Sequence, residues 1–418
     1  MLGDSSGNDM EVLNKSVPFR CDIFCSIIDN YGDIGVCWRL AKQLANEHKL
    51  AVRLWVDNLS GFAKLCPDVN VALGKQKYGG VEIIWWETEA VSQSVGSLLT
   101  LTGEGATDIV IEAFACRLSQ NFLAAMARQQ PQQSVWINLE YLSAEDWVQG
   151  CHTLPSPHPT LPLTKYFFFP GFTRETGGLL LESDLFARRD AFQNDTGQQR
   201  VFWQSLGIQM PMYDTLKISL FAYENAALGN LFDAWSMSLQ PILCLIPEGR
   251  ILTEVGEYFA DATPRKGNEY VRGNLRVRVL PFLTQENYDV LLWACDVNFV
   301  RGEDSFVRAH WAGRPFVWQI YPQHDEVHFT KLEAFLNLYA ASLGESEQRA
   351  VKGLWVVWNQ EGDAGEKWRA FSNELKGISS HTQAWANELS KNNLALNLLD
   401  FCQKIGRIRA FKIDGRAT

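Results

Sequence analysis

Apolar segments alternate with amphipathic segments along two long regions of the chain. The first region holds short apolar runs, bounded by turn residues, that predict buried strands at 21–28, 51–56, 81–85, 108–112 and 135–138. Between them, apolar residues recur at helical spacing, as in 36–48 and 119–128. Strands that alternate with helices are typical of βαβ units and therefore predict a parallel sheet.

The second region repeats this arrangement. Its apolar runs predict strands at 216–221, 242–246, 275–280, 297–300 and 315–320. A helical stretch at 382–405 ends the pattern. Two other stretches differ in composition: 151–170 is rich in proline and predicts a surface excursion, whereas 188–199 is polar and predicts a domain boundary.

These patterns divide the chain into four parts. We predict a disordered extension (1–17), a Rossmann-like domain (18–195), a second Rossmann-like domain (196–385) and a C-terminal helical segment (386–418). Two parallel α/β domains that face across a cleft form a doubled, doubly wound architecture. Such folds bind ligands at the carboxyl ends of their strands, but the fold class alone fixes no chemistry.

The composition fits a globular chain with two cores, since 46% of the 418 residues are hydrophobic and 21% are charged. A net charge of −10 disfavours nucleic acid and anionic membranes as partners and favours a basic protein surface. No apolar run approaches the roughly 18 residues that a membrane span needs. The nine cysteines include no CxxC pair, so we expect a cytoplasmic protein with reduced thiols.

The first candidate site is the segment DNYGDIG at 29–35, between a predicted strand and a predicted helix. Its glycines permit a tight turn and the close approach of a ligand. The spacing is not the GxGxxG of dinucleotide sites. Asp29 and Asp33 lie four residues apart on this loop. One could cap the helix while the other faces the cleft as a general base, or both could serve as caps and turn formers.

The second candidate site is NFVRGEDSFVRA at 298–309, which again reads as strand, loop and helix. Asp304 or Ser305 is suited to the N-cap of that helix. A helix start binds anions such as a diphosphate, and Arg301 could add a charged contact. Glu303 and Asp304 would repel phosphate unless they face hydroxyls, backbone donors or a cation. An ordinary capped helix is the alternative.

Aromatic residues and one glutamine follow two predicted strands of the second region. Phe221 and Tyr223 follow the strand at 216–221, and Phe282 and Gln285 follow a later one. An aromatic face beside an amide suits a pyrimidine base, because the ring stacks and the amide reads the edge of the base. Core packing is the alternative for each ring.

One pair of histidines has the spacing of metal ligands. His324 and His328 lie four residues apart, beside Asp325 and Glu326. On a helix this spacing could hold a metal ion. It is not an HExxH motif, however, and no third ligand is evident, so we predict no metal.

The two motifs together resemble a known family. The segment DNYGDIGVCWRL at 29–40 is similar to the N-terminal signature of the EarP family, the bacterial protein-arginine rhamnosyltransferases. The segment RGEDS at 301–305, followed by AHWAGRPF at 309–316, resembles the donor-site signature of that family. The resemblance extends from about residue 21 to the end of the chain.

This resemblance implies a GT-B fold, in which two Rossmann-like domains face across a cleft. The acceptor would bind on the side of 18–195 and the donor on the side of 196–385. The reaction would move rhamnose from dTDP-β-L-rhamnose to one arginine of translation elongation factor P (EF-P), with inversion and without a metal or another cofactor. Neither nucleic acid nor a membrane is an expected partner.

The resemblance also implies roles for individual residues. Asp33 would be the general base, and Asp29 and Glu303 would orient the guanidinium or shape the loop. Donor contacts are expected at Phe221, Tyr223, Phe282, Gln285, Arg301, Asp304 and Ser305. The other acceptor-side loop positions are Asn30, Tyr31, Gly32 and Gly35.

An arginine acceptor makes two chemical demands. Its guanidinium has a pKa above about 12 and stays protonated, so the site must hold a cation and must accept a proton as the new bond forms. Paired carboxylates can do both. Two alternatives stay open: a glycosyltransferase with a carbohydrate or lipid acceptor would need no carboxylate cluster, and a non-catalytic nucleotide-binding module would turn over no sugar.

Overall fold

The structure, a computed structural model, describes residues 19–27, 31–86, 107–129, 133–322, 327–360 and 362–406. Within these ranges the chain forms two mixed sheets, each covered by helices. No helix among the described residues has both the length and the apolar character to cross a membrane.

The first sheet has eight strands in the order β3-β4-β2-β1-β5-β6-β8-β7. They are β1 (Arg20–Cys25), β2 (Ala51–Val56), β3 (Lys75–Tyr78), β4 (Val81–Trp85), β5 (Ile109–Ala113), β6 (Val135–Leu139), β7 (Pro155–Pro157) and β8 (Thr164–Phe168). The six inner strands are parallel, and the edge strands β3 and β7 are antiparallel to their neighbours. The helices described in this half are α1 (Gly32–Asn46), α2 (Leu59–Leu65), α3 (Gln120–Arg128) and α4 (Trp147–Cys151).

The second sheet has six strands in the order β11-β12-β10-β9-β13-β14. They are β9 (Leu216–Leu220), β10 (Ile242–Pro247), β11 (Glu269–Arg272), β12 (Leu275–Leu280), β13 (Val297–Arg301) and β14 (Phe316–Gln319). The five strands after the edge strand β11 are parallel. Below, the first domain is the part built on the first sheet and the second domain the part built on this one.

Helices α5 to α15 complete the fold. They are α5 (Leu185–Asn194), α6 (Thr196–Ser205), α7 (Leu228–Ser236), α8 (Leu252–Phe259), α9 (Gln285–Ala294), α10 (Asp304–Ala312), α11 (Val327–Ala340), α12 (Glu345–Asn359), α13 (Ala364–Asn373), α14 (Leu375–Leu389) and α15 (Leu394–Gly406). The polar stretch 188–199 thus lies within the helix pair α5 and α6.

The last helix, α15, packs on the first domain. Its buried face belongs to the same hydrophobic cluster as the core residues of β1 and β2, and consists of Leu394, Ala395, Leu398, Leu399 and Cys402. The predicted helical stretch at 382–405 is therefore interrupted, because α14 ends at Leu389 and the chain turns before α15. In that turn Asn393 pairs with Leu179 of the first half.

Two predictions about local structure are wrong. The proline-rich stretch 151–170 is no simple excursion, because β8 lies there and pairs with β6. Its prolines at 155 and 157 lie on the edge strand β7, where a missing backbone donor is tolerated. The helix predicted at 36–48 begins earlier, at Gly32, so Asp33 lies in the first turn of α1 and not on a free loop.

In each sheet, a central strand lies between two strands, and the chain crosses to these two strands in opposite directions. In the first sheet β1 lies between β2 and β5, and in the second β9 lies between β10 and β13. A doubly wound sheet opens a crevice at the carboxyl ends of such strands. The predicted site residues lie on the segments that follow β1, β9, β12 and β13.

Candidate active site between the two domains

A cleft of about 610 Å³ opens at the carboxyl end of the second sheet. Its walls come from the segments after β9, β12 and β13 and from the start of α1. The predicted site residues that line it are Tyr31, Gly32, Phe221, Tyr223, Phe282, Gln285, Arg301, Asp304 and Ser305. The structure therefore brings all seven predicted donor contacts together at one cavity, which we call the donor cleft.

The guanidinium of Arg301 lies against two aromatic rings of the donor cleft. Its central carbon is 4.4 Å from the ring centroid of Phe221 and 4.4 Å from that of Tyr223. The residue is only 7% exposed, and its Nε and Nη1 atoms have no hydrogen-bond partner within the described structure. A buried cation with unused donors is a strong anion site, because those donors lack their usual water.

The side-chain nitrogen of Gln285 is hydrogen-bonded, whereas its side-chain oxygen is not. Its amide nitrogen donates to the carbonyl oxygen of Gly35 at 3.0 Å and to the Asp304 carboxylate at 3.3 Å. Its oxygen, Oε1, is buried without a partner in the described structure. The donor cleft thus also offers an unused hydrogen-bond acceptor next to its aromatic rings.

The start of α10 differs from the predicted cap. Glu303 holds the N-cap position and makes no side-chain cap, so the prediction of Asp304 or Ser305 as the cap is wrong. The Ser305 hydroxyl bonds the backbone of Arg301 and closes the loop between β13 and α10. The Asp304 carboxylate accepts a 2.8 Å hydrogen bond from Nε of Arg39, a residue of α1.

A second cavity of about 790 Å³ adjoins the donor cleft, and Gly32 and Gly302 line both. It contains both described members of the predicted carboxylate set, Asp33 and Glu303. Asp33 is 2% exposed and hydrogen-bonds the side chain of Tyr141. We call this cavity the acceptor cleft.

Glu303 is held in place by the loop after β6. Its Oε1 accepts a 3.0 Å hydrogen bond from the backbone N–H of Leu142. Burial, with a further contribution from the negative charge of Asp33, raises the pKa of Glu303 to about 8, although the Leu142 N–H and Lys331 act in the opposite direction. Burial and the same carboxylates also raise the pKa of Tyr141, which keeps its hydroxyl protonated.

Some predicted positions lie elsewhere. Asp29 and Asn30 lie outside the described residues, as do His324, Asp325 and Glu326. Gly35 lies on the face of α1 that meets α9 and α10. His328 is buried against the ring of Phe329. Within the described ranges no three His, Cys, Asp or Glu side chains gather as metal ligands would.

The acceptor cleft also has walls that the sequence patterns did not single out. They are Tyr141, Leu142, Phe306, Trp318, Ile320, Tyr321 and Lys331. Tyr141 and Leu142 follow β6, and Ile320 and Tyr321 follow β14. The rule that parallel sheets bind ligands at their carboxyl ends would have identified both segments.

Two α/β domains with adjoining clefts between them are the architecture of the GT-B class of glycosyltransferases. A solved structure that explains EarP-mediated arginine glycosylation of translation elongation factor EF-P is similar over 92% of this chain and 99% of that one, with a TM-score of 0.66 and 35% identity. The chain belongs to the family described as Elongation-Factor P (EF-P) rhamnosyltransferase EarP, which matches residues 21–403. The resemblance inferred from the two motifs is thereby confirmed.

Similar full-length sequences support this membership. A protein-arginine rhamnosyltransferase of Pseudomonas putida is 47% identical over 381 residues, which cover 91% of this chain and 97% of that protein. One from Shewanella oneidensis is 41% identical over 397 residues, covering 92% and 97%. A glycosyltransferase from Rickettsia africae shares the fold alone, with a TM-score of 0.52 at 9% identity over 94% of this chain and all of that one.

Proposed function

We propose that the protein transfers rhamnose from dTDP-β-L-rhamnose to an arginine side chain of EF-P, with inversion at the anomeric carbon. The observation that carries the proposal is that two clefts adjoin and share Gly32 and Gly302 as walls. One contains the buried Arg301, whose Nε and Nη1 have no hydrogen-bond partner in the described part of the chain, and the other contains the carboxylates of Asp33 and Glu303. The relatives named for arginine rhamnosylation support both the sugar and the acceptor.

The donor cleft has the groups that a thymidine diphosphate needs. Its aromatic rings offer a stacking surface for the base, and the unused Gln285 Oε1 suits the N3–H of thymine. The unused Nε and Nη1 of Arg301 suit the diphosphate. Backbone N–H groups at the start of α10 add a partial positive charge at the same place.

The acceptor cleft has the groups that a guanidinium needs. Asp33 and Glu303 offer two carboxylates for charge-assisted hydrogen bonds to a planar cation. Trp318 and Tyr321 offer aromatic surface on which a guanidinium stacks well. The pKa of Glu303, near 8, falls when a cation arrives, so acceptor binding converts a protonated Glu303 into a paired carboxylate.

In the proposed reaction a guanidine nitrogen of the acceptor attacks the anomeric carbon of rhamnose from the face opposite the diphosphate. The new C–N bond forms as the C–O bond to the diphosphate breaks, and the electron pair of that bond leaves on dTDP. The proton lost by the nitrogen passes to the carboxylate of Asp33 and then to solvent. Because a resting carboxylate is a far weaker base than arginine, this transfer occurs late in the displacement.

No metal or other cofactor takes part in this proposal. The positive charge that stabilises the leaving diphosphate comes from Arg301 and the start of α10. We further propose a cytoplasmic location, which the free state of all nine cysteines supports because thiols stay reduced there.

The test is the intact mass of folded EF-P after incubation with this protein and dTDP-β-L-rhamnose. We expect a gain of one deoxyhexose, located on one arginine by fragmentation. Asp33→Asn should abolish the gain and leave dTDP binding nearly unchanged. A matched control is Asp195→Asn, at the exposed N-cap of α6, where asparagine caps equally well and transfer should be normal. Unmodified EF-P with the unaltered enzyme, or full transfer by Asp33→Asn, would contradict the proposal.

A further inference from the structure

A cluster of buried charges joins the two domains behind the donor cleft. Its centre is Arg39 of α1, which is 3% exposed. The guanidinium donates to Asp304 at 2.8 Å and to both carboxylate oxygens of Asp289 at 3.1 Å. It also lies 3.5 Å from Glu182 and donates to the carbonyl oxygen of Gln285 at 3.4 Å. One side chain of the first domain thus contacts both α9 and α10.

A second arginine completes the cluster. Arg308 of α10 is 2% exposed and donates to the two carboxylate oxygens of Asp289 at 2.8 and 2.7 Å and to Glu182 at 2.7 Å. Although burial opposes ionisation, Arg308 and Arg39 lower the pKa of Glu182 to about 2. The cluster therefore brings together two guanidinium groups and three carboxylates. Arg308 donates to both Asp289 and Glu182, whereas Asp304 has its only ion pair among the described residues with Arg39.

Asp304 is the member of the cluster that touches the donor cleft. It lies at the first position of α10, beside Ser305 and Arg301, and its side chain is 17% exposed. An isolated carboxylate at this place would oppose a diphosphate at the same helix start. The hydrogen bond from Arg39 compensates its charge, and it also directs the carboxylate toward α1.

The same contact fixes the helix that carries Asp33. Gly35 follows Asp33 by half a turn of α1 and packs closely against the second domain. A Cβ atom at Gly35 would lie 3.2 Å from Nε2 of Gln285 and 3.3 Å from Cβ of Asp304. The carbonyl oxygen of Gly35 accepts a hydrogen bond from Gln285. Arg39 and Gly35 together hold α1 against the two helices that wall the donor cleft.

We infer that Arg39 is a positioning residue for sugar transfer: it neutralises Asp304 so that the donor cleft accepts a diphosphate, and it anchors the Asp33-bearing helix to the donor-binding helices. This inference rests on the proposed function, since it takes the ligand of the donor cleft to be a nucleoside diphosphate. It also reassigns Asp304, which the sequence motif implied to be a donor contact, to the link between the domains.

The test uses ligands that differ only in charge. We would measure the dissociation constants of thymidine, dTMP and dTDP by calorimetry at fixed ionic strength. In the unaltered protein, affinity should rise with each phosphate. Arg39→Gln should weaken dTDP binding at least tenfold and leave thymidine within twofold. Adding Asp304→Asn to that variant should restore most of the dTDP affinity, because it removes the uncompensated carboxylate.

Lys42→Gln is the matched control for loss of a positive charge from the same helix. Lys42 also forms an ion pair with the second domain, at 2.5 Å from Glu286, but on the exposed side of α1. Its removal should leave the ratio of the dissociation constants of thymidine and dTDP unchanged. If Lys42→Gln weakens dTDP binding as much as Arg39→Gln does, the loss of any positive charge from α1 explains the effect, and the inference fails.

If Arg39→Gln does not fold, the single variant Asp304→Asn tests the inference. Its dTDP affinity should equal or exceed that of the unaltered protein, while kcat falls about tenfold because α1 is less firmly anchored. A loss of dTDP affinity in Asp304→Asn would make Asp304 a direct donor contact and overturn the inference. Equal losses for thymidine and dTDP in Arg39→Gln would also overturn it. If the unaltered protein binds no dTDP, the proposed donor itself is wrong, and the inference falls with it.

Discussion

The ring of Phe114 stacks on the ring of Tyr141, with centroids 4.5 Å apart and 20° between the planes. Phe114 and its neighbour Ala115 have φ angles of 56° and 53°, a left-handed conformation that costs non-glycine residues energy. The turn after β5 thus has a strained backbone, and the ring of Phe114 in this turn packs against Tyr141 and fixes its position. Tyr141 in turn hydrogen-bonds Asp33.

We predict that Tyr141→Phe lowers kcat about tenfold or more and leaves dTDP affinity unchanged. The ring and its stacking stay, and only the hydroxyl that orients Asp33 is lost. A hydrogen bond to a charged group contributes about 1.5–3 kcal/mol. Steady-state kinetics with folded EF-P measure the effect. Tyr213→Phe, at a fully exposed position, is the control and should be silent; an unchanged kcat in Tyr141→Phe would remove Tyr141 from the mechanism.

The raised pKa of Glu303 predicts a pH-dependent stability. Its folded pKa, about 8, lies above the value near 4.5 expected for the unfolded chain. Its contribution to stability is therefore fully present below about pH 4.5 and is lost as the pH rises toward 8. Between pH 5 and pH 8.5, the free energy of unfolding of Glu303→Gln should rise by at least about 1 kcal/mol relative to that of the unaltered protein. The reason is that each unit of pKa shift corresponds to about 1.4 kcal/mol.

Denaturant unfolding at both pH values measures this gain. Glu286→Gln is the control, because Lys42 outweighs the effect of burial and lowers the pKa of Glu286. That variant should show no gain as the pH rises. A constant difference between Glu303→Gln and the unaltered protein at every pH would show that Glu303 ionises normally.

Arg301→Lys should raise the dissociation constant of dTDP about tenfold or more, even though the charge is kept. A lysine ammonium has no planar face to stack on the rings of Phe221 and Tyr223 and no planar fork for a phosphate. Calorimetry with dTDP is the measurement. Arg276→Lys, on an exposed face of β12, is the control and should bind dTDP normally. Equal affinity in both variants would refute the diphosphate contact.

Gly35→Ala should slow transfer and destabilise the protein by roughly 1–2 kcal/mol, because the added methyl group forces α1 away from Gln285 and Asp304. Gly229→Ala in α7 is the matched control, since its Cβ would meet no atom within 4 Å. That change should leave stability the same or raise it by up to about 1 kcal/mol. Thermal unfolding and turnover, measured on both variants, test the pair. Similar results for the two would mean that close packing at Gly35 is unimportant.

Apolar periodicity was sufficient to predict the ten principal strands, which all appear with small shifts at their ends. It missed the short edge strands β3, β7 and β11, whose mostly polar, exposed residues carry little hydrophobic signal. It also missed β8, because the prolines that precede this strand are typical of loops.

Local patterns could not predict the partners of Asp304. The motif suggested a helix cap, yet the carboxylate pairs with Arg39, 265 residues earlier in the chain. Propensity describes a residue and its neighbours along the helix, whereas this contact exists only once two domains have packed together. Asp33 was placed on a loop for a related reason: Gly32 and Asp33 are common turn residues, and their inclusion in α1 reflects burial in the folded protein.

The docking of α15 on the first sheet has a consequence for how the protein is made. Leu398 and Leu399 complete the core around β1, yet the ribosome adds them more than 370 residues after that strand. The amino-terminal half therefore cannot finish its core until α15 has been made, and an apolar groove stays open until then. A chain that ends before α15 therefore leaves the core of the first domain incomplete, even though every strand of the first sheet has been made.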